Sequence, residues 1–374
     1  MAPDPRQPLR WKLADQDGPV ALFPDETALE RHVGTGEYRG LEFLHVNARS
    51  IINTVPASSG MPFRHTINAY RGCSHACSYC FARPTHDYLG LGVGEDFETK
   101  IVVKVNAVER LRAELRSSRW GGEHIAMGTN TDPYQAAEGK YHLTGGIIGV
   151  LSEARNPFSI LTKSTLVLRD LKALTVAAGR TAVHLNVSIG TLDRDVWRLT
   201  EPGTPPPDKR VEAVRRLNEA GIPCGVLVAP VLPGLSDADD QVRQVAEACR
   251  DAGAISISAV ALHLRPGVRE HFMGWLGRNR PDLVPLYEKR FGRRAYQPKA
   301  DQARLSALVA SVTRGSGAAA VARRARPGPR ITTTGHPDTR PGGTDDDRGD
   351  GPESAMARHP AGAHRRQSEQ LRLL

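Results

Sequence analysis

Between residues 66 and 262 the chain alternates six short runs rich in β-branched and aliphatic residues with five amphipathic stretches of helical period. The runs cover residues 66–70, 124–127, 158–162, 183–189, 224–229 and 254–262. The helical stretches between them cover residues 102–117, 143–153, 168–177, 208–220 and 237–252. Strands separated by helices bury their apolar faces as parallel neighbours joined by crossovers. Six such units with right-handed crossovers predict an α/β fold, a partial (β/α)6 TIM-type barrel. Gly221 and Gly253 support the boundaries, because each stands where a helix C-cap needs a left-handed residue.

Ligands of such sheets sit at the carboxyl ends of the strands. The segments to inspect are therefore 71–80, 128–135, 163–164, 188–191, 230–234 and 263–267. Around this barrel, assigned to residues 61–267, the sequence suggests an N-terminal extension over 1–60 and a C-terminal helical segment over 268–312. Residues 313–374 are rich in Gly, Pro, Arg, Asp and Thr with few large apolars, which predicts a disordered tail. No run approaches the roughly 18 apolar residues a membrane-spanning helix needs, and the first twelve residues lack the apolar core of a secretory signal. A cytoplasmic location is expected. The formal net charge of +9 favours an anionic partner such as DNA or RNA. Eleven arginines against seven acids in residues 314–374 account for part of that excess.

Three of the five cysteines fall in Arg71-Gly72-Cys73-Ser74-His75-Ala76-Cys77-Ser78-Tyr79-Cys80, a C-x3-C-x2-C spacing just after the first barrel strand. Clustered thiols in a reducing compartment read as metal or Fe–S ligation rather than disulfides. Three thiolates on Cys73, Cys77 and Cys80 would leave one iron of a [4Fe–4S] cluster open. That iron can chelate the amino and carboxylate groups of S-adenosylmethionine (SAM). Zinc is the alternative, with His65, His75 or His86 as fourth ligand. It is disfavoured because no second cysteine pair exists. Cys224 and Cys249 stand alone and read as buried hydrophobes.

This motif, with the aromatic Tyr79 before its last cysteine, resembles that of the radical SAM superfamily over residues 64–267. The segment Gly128-Thr129-Asn130-Thr131-Asp132-Pro133-Tyr134-Gln135, with Glu138 following, is similar to the spore photoproduct lyase-like branch. The resemblance implies a [4Fe–4S] cluster and SAM as cofactors, and an external electron donor. It also implies reductive cleavage of SAM to a 5′-deoxyadenosyl radical, acting on nucleic acid in repair or modification. It assigns Tyr79, Thr131, Asp132, Lys163 and Ser188 to SAM binding and leaves the catalytic residues unknown. Arg265, after the sixth strand, could face the cluster or an anionic substrate. The pattern breaks at Thr129, where photoproduct lyases carry a cysteine that returns a hydrogen atom, and at Phe81, where they carry a tyrosine. Repair by that same relay is therefore not expected.

Two other readings follow from the same residues: radical modification of a protein or small molecule, and a non-catalytic Fe–S or zinc module that binds nucleic acid. The closing Gln370-Leu371-Arg372-Leu373-Leu374 resembles the short glutamine–leucine peptides that dock on the bacterial sliding clamp. It implies the clamp as a further partner, reached on a flexible tether.

Overall fold

The computed structural model describes residues 30–313. The predicted tail and the clamp-like peptide at 370–374 lie outside the described residues. Eleven strands follow in chain order: β1 (Glu30–Val33), β2 (Glu42–Val46), β3 (Ile52–Thr54), β4 (His65–Ile67), β5 (Tyr70–Arg71), β6 (Lys100–Lys104), β7 (Ile125–Met127), β8 (Phe158–Thr162), β9 (Val183–Ser188), β10 (Cys224–Val231) and β11 (Ile257–Ala261). The helices are α1 (Glu95–Thr99), α2 (Ala107–Leu115), α3 (Ala136–Tyr141), α4 (Leu143–Glu153), α5 (Leu171–Ala178), α6 (Arg194–Thr200), α7 (Pro207–Glu219), α8 (Asp239–Asp251), α9 (Val268–Asn279), α10 (Val284–Phe291) and α11 (Lys299–Thr313).

Strands β4, β7, β8, β9, β10 and β11 lie side by side in chain order, each pair parallel. This is the predicted six-strand α/β sheet of a partial barrel. β3 adds an antiparallel edge beside β4. The core-facing residues of these strands, including Ile125, Phe158, Ile160, Leu185, Val187, Val226 and Val228, are buried against α4, α5, α7 and α8. Each such side chain contributes about 1.5–3 kcal/mol relative to exposure. Pro207 opens α7 with its fixed φ, and Gly221 at φ +77° closes the turn after it. Gly253 at φ +80° does the same after α8. α11 packs along β11 and α8, beyond the last barrel strand.

The structure departs from the sequence reading in three places. Residues 30–60, read as an extension, contribute strands to both sheets. The run 66–70 is divided: β4 joins the barrel sheet, while β5 pairs with β6 in a second sheet of order β1-β2-β6-β5. Asn68 accounts for the split. Its side-chain carbonyl turns to the end of β7, accepting from the Asn130 amide at 3.2 Å. Finally, the stretch 102–117 is not one helix. Residues 100–104 are strand β6, and only α2 is helical. In β6, Ile101, Val102 and Val103 are buried together, and a β-branched run buried on both faces suits a strand.

Candidate functional site

The cysteine loop leaves β5 at the carboxyl end of the barrel through Gly72, at φ +77°. A Cβ there would stand 2.8 Å from His86 Cε1 and 2.9 Å from the Phe97 carbonyl, so only glycine fits this approach. Three sets of contacts then hold the loop. Thr131 Oγ1 and Gln135 Nε2 both donate to the Gly72 carbonyl, at 2.6 and 2.9 Å, and Gln135 Oε1 accepts from the Ser74 amide at 3.0 Å. The loop after α6 brackets the far side: the Ser78 amide donates to the Thr200 carbonyl and the Gly203 amide to the His75 carbonyl. Behind the last cysteine, the buried Arg83 guanidinium donates to the Cys77 carbonyl at 2.9 and 3.1 Å and pairs with Glu98.

Gly203 is tightly fitted. A Cβ at that position would come 2.1 Å from the Ser74 carbonyl oxygen, inside any permitted contact. Gly203→Ala must therefore push the cysteine loop off its seat. The expected result is a soluble protein holding less than half the wild-type iron after anaerobic reconstitution, measured by colorimetric iron assay. Full iron retention would show that the loop is not held from this side.

Cys73 and Cys77 are buried and Cys80 is half-buried, and the three thiols feel one another's charge. Burial pushes the Cys73 thiol up to about 12, helped by Asp132, and also raises Cys77 and Cys80. Without a bound cation these thiols stay protonated, whereas coordinated iron supplies the charge that makes them thiolates. The donor set thus fits an iron–sulfur cluster. A single zinc ion fits less well. Tetrahedral ligation would bring thiolates to about 3.8 Å. Among the described residues, the group with three donors mutually within 4.8 Å is Glu30, His32 and His45, not the thiols. The histidines weighed as a fourth ligand have other partners. His75 Nδ1 lies 3.4 Å from Asp132, His86 Nε2 bonds the Lys100 carbonyl at 3.0 Å, and His65 packs edge-on against Trp120.

Lys163 extends from the end of β8 into a polar cluster. Its Nζ donates to Ser188 Oγ at 2.7 Å, Glu201 Oε1 at 3.1 Å and the Ala229 carbonyl at 3.2 Å, and it lies 5.5 Å from the Tyr79 ring centroid. Three of the five residues assigned to SAM from sequence therefore meet: Tyr79, Lys163 and Ser188. Their shared partner, Glu201, was not foreseen. It receives the Tyr79 hydroxyl and the Arg210 guanidinium, and Arg210 also donates to the Ser188 carbonyl at 3.0 Å. Burial opposes ionisation of Glu201, but Arg210 and Lys163 hold the carboxyl down to about 2. Glu201-Pro202-Gly203 reads in sequence as a surface turn, and Arg210 as one more charge on an amphipathic helix. Only their spacing of nine residues across a helix start hinted at a pair.

Thr131 and Asp132 sit beside this cluster with their polar atoms engaged elsewhere. Asp132 accepts from Thr162 Oγ1 at 2.7 Å, the Tyr134 amide at 2.8 Å and the Lys163 amide at 2.7 Å. Both residues tie the ends of β7 and β8 to the cysteine loop. Glu138 is fully buried, accepts from the Thr144 amide at 2.9 Å at the start of α4, and pairs with Tyr70 and Arg169. Thr129 faces Asn68, while Cys224 and Cys249 are buried in the barrel core, as read from sequence.

The chain belongs to the radical SAM superfamily, whose family model matches residues 67–249. The superfamily's [4Fe–4S] cluster and SAM are its cofactors. It is 45% identical over 282 residues to an uncharacterised protein of Mycobacterium tuberculosis, covering 75% of this chain and 83% of that one. It is 30% identical over 199 residues to an uncharacterised protein of Methanocaldococcus jannaschii, covering 53% and 71%. Among solved structures, spore photoproduct lyase complexed with dinucleoside spore photoproduct superposes with a TM-score of 0.56 at 17% identity, covering 73% of this chain and 79% of that one. That likeness is one of fold. Among the described residues no helix is long and apolar enough to cross a membrane.

Proposed function

We propose that this chain is a radical SAM enzyme that acts on nucleic acid, with its cluster on Cys73, Cys77 and Cys80. Bound there, the cluster and SAM supply reductive cleavage of the sulfonium bond to a 5′-deoxyadenosyl radical. The protein's own part is positional. Lys163 is the group for SAM's methionine carboxylate and Ser188 the hydroxyl for its ribose, and Tyr79 packs over the lysine. All three ammonium protons of Lys163 already have acceptors, so a bound carboxylate replaces one of them. Thr131 and Asp132 act through the loop, holding the thiols against the strand ends.

The substrate class rests on one observation. Directly after Cys80, the exposed Phe81 begins a row of rings: Phe81 to His263 at 6.0 Å between centroids, and His263 to the exposed Tyr296 at 5.7 Å. Arg265 lies over Tyr296 and donates to its hydroxyl at 2.7 Å. Exposed rings beside a guanidinium at the mouth of a site suit unstacked bases and a phosphate backbone. The net charge of +9 supports the same partner, as does the bound dinucleoside of the fold neighbour. Thr129 cannot return a hydrogen atom as a thiol would, so the reaction differs from a cysteine-terminated photoproduct repair.

Base stacking is worth about 1–3 kcal/mol per ring, or roughly 5- to 150-fold in affinity. Phe81→Ala with Tyr296→Ala should therefore weaken binding of a fluorescent single-stranded oligonucleotide at least about tenfold, read by anisotropy at fixed salt. Equal binding by wild type and variant would remove the rings as a nucleic-acid surface and leave a protein or small-molecule substrate as the reading.

A further inference from the structure

We propose that Glu30, His32 and His45 form a binding site for a divalent transition-metal ion, which clips strand β1 to β2. Strand pairing brings the three residues to one face. Glu30 stands directly opposite His45 in the antiparallel register, and His32, two residues along β1, shares the face of Glu30. Glu30 Oε2 lies 3.4 Å from His32 Nε2 and 4.0 Å from His45 Nδ1. A tetrahedral ion about 2.0–2.1 Å from each donor sets neighbouring donors about 3.4 Å apart, so the set needs only a slight closure. Two imidazoles and one carboxylate select zinc and its neighbours over magnesium or calcium.

The second observation is the far nitrogen of His45. Its Nε2 is 2.7 Å from the Tyr141 hydroxyl, and Tyr141 is itself packed edge-on against buried Phe43. This hydrogen bond fixes the His45 ring and turns Nδ1 towards Glu30, the outer partner that metal-ligating histidines characteristically have. The His32 and His45 rings are already stacked at 4.0 Å between centroids. Of the nearby cations among the described residues, Lys140 is held over the rings of Phe43 and Tyr141, and Arg31 pairs with Glu42. β1 has reason to need a clip, since none of its four residues is buried and it pairs with β2 alone.

The site is separate from the thiol loop, so it can be tested in the reconstituted, cluster-loaded full chain. The protein is dialysed against buffered zinc ion, and zinc and iron per chain are then measured together. Wild type should take up one more zinc per chain than the His32→Ala, His45→Ala double variant, at equal iron. The variant's affinity should fall by at least about 100-fold, and that of Tyr141→Phe by about tenfold. Zinc taken up by histidines in residues 314–374 is common to all three proteins and cancels. Glu30→Gln, which preserves shape, should also lose the ion and guards against a folding defect in the double variant. In wild type, zinc should slow amide hydrogen exchange across residues 30–33. Equal zinc uptake by wild type and the variants would overturn the proposal, as would unchanged exchange in β1 at saturating zinc.

Discussion

Replacing Cys73, Cys77 or Cys80 by alanine is expected to abolish the cluster outright, leaving a colourless, folded chain with less than about a tenth of the wild-type iron. The effect should be all-or-none because the cluster proposed for these thiols would have three protein ligands, and losing one would leave a second iron open in a buried site. The fold should survive. The loop is held by Thr131, Gln135, Arg83 and the Thr200 and Gly203 backbone, none of which depends on the thiols. Circular dichroism should match wild type while iron and sulfide are lost. Cys224→Ala and Cys249→Ala, both in the barrel core, should keep full iron.

The second large effect concerns Glu201. The side chains of Glu201, Lys163 and Arg210 are 5%, 15% and 1% exposed, so two cations share one buried anion. Glu201→Gln leaves both cations without their counter-charge, which costs about 3–5 kcal/mol when a buried pair is broken from one side. Urea unfolding of the cluster-free chain should show that deficit at pH 7. The pH dependence has a definite sign. The folded carboxyl titrates at about 2, below its ordinary 4.5, so its stabilisation is fully present above about pH 4.5 and is lost as pH falls towards 2. The difference between wild type and Glu201→Gln should therefore shrink in acid. A deficit below about 1 kcal/mol at pH 7 would mean the triad contributes no more than an exposed pair.

Much of the barrel was legible because hydrophobic period and glycine caps agree along it. The strands at 158–162, 183–188 and 224–231 and the helix at 143–153 lie where the pattern puts them. Local pattern failed where tertiary pairing decides. β5 and β6 leave the barrel for a second sheet, and a β-branched run at 101–103 read as helix because a helical period follows it. At the site, the sequence exposes residues whose type announces chemistry, such as the cysteines and the strand-end Lys163. It hides residues whose role is created by folding. Glu201 and Arg210 look like surface charges until the chain closes around them. Arg83 has no signal at all beyond its nearness to Cys80. Thr131 and Asp132 were found by resemblance, but Thr131 bonds the cysteine loop at the Gly72 carbonyl, and Asp132 bonds the end of β8 and pairs with His75 of the loop.

The most direct test of the central reading is anaerobic reconstitution with iron and sulfide, followed by reduction in the presence of SAM and chromatography for 5′-deoxyadenosine. The account predicts about four irons per chain and 5′-deoxyadenosine formed by wild type but not by Cys80→Ala. A protein that loads four irons yet yields no 5′-deoxyadenosine, or a colourless protein binding a single zinc at the thiols, would contradict it.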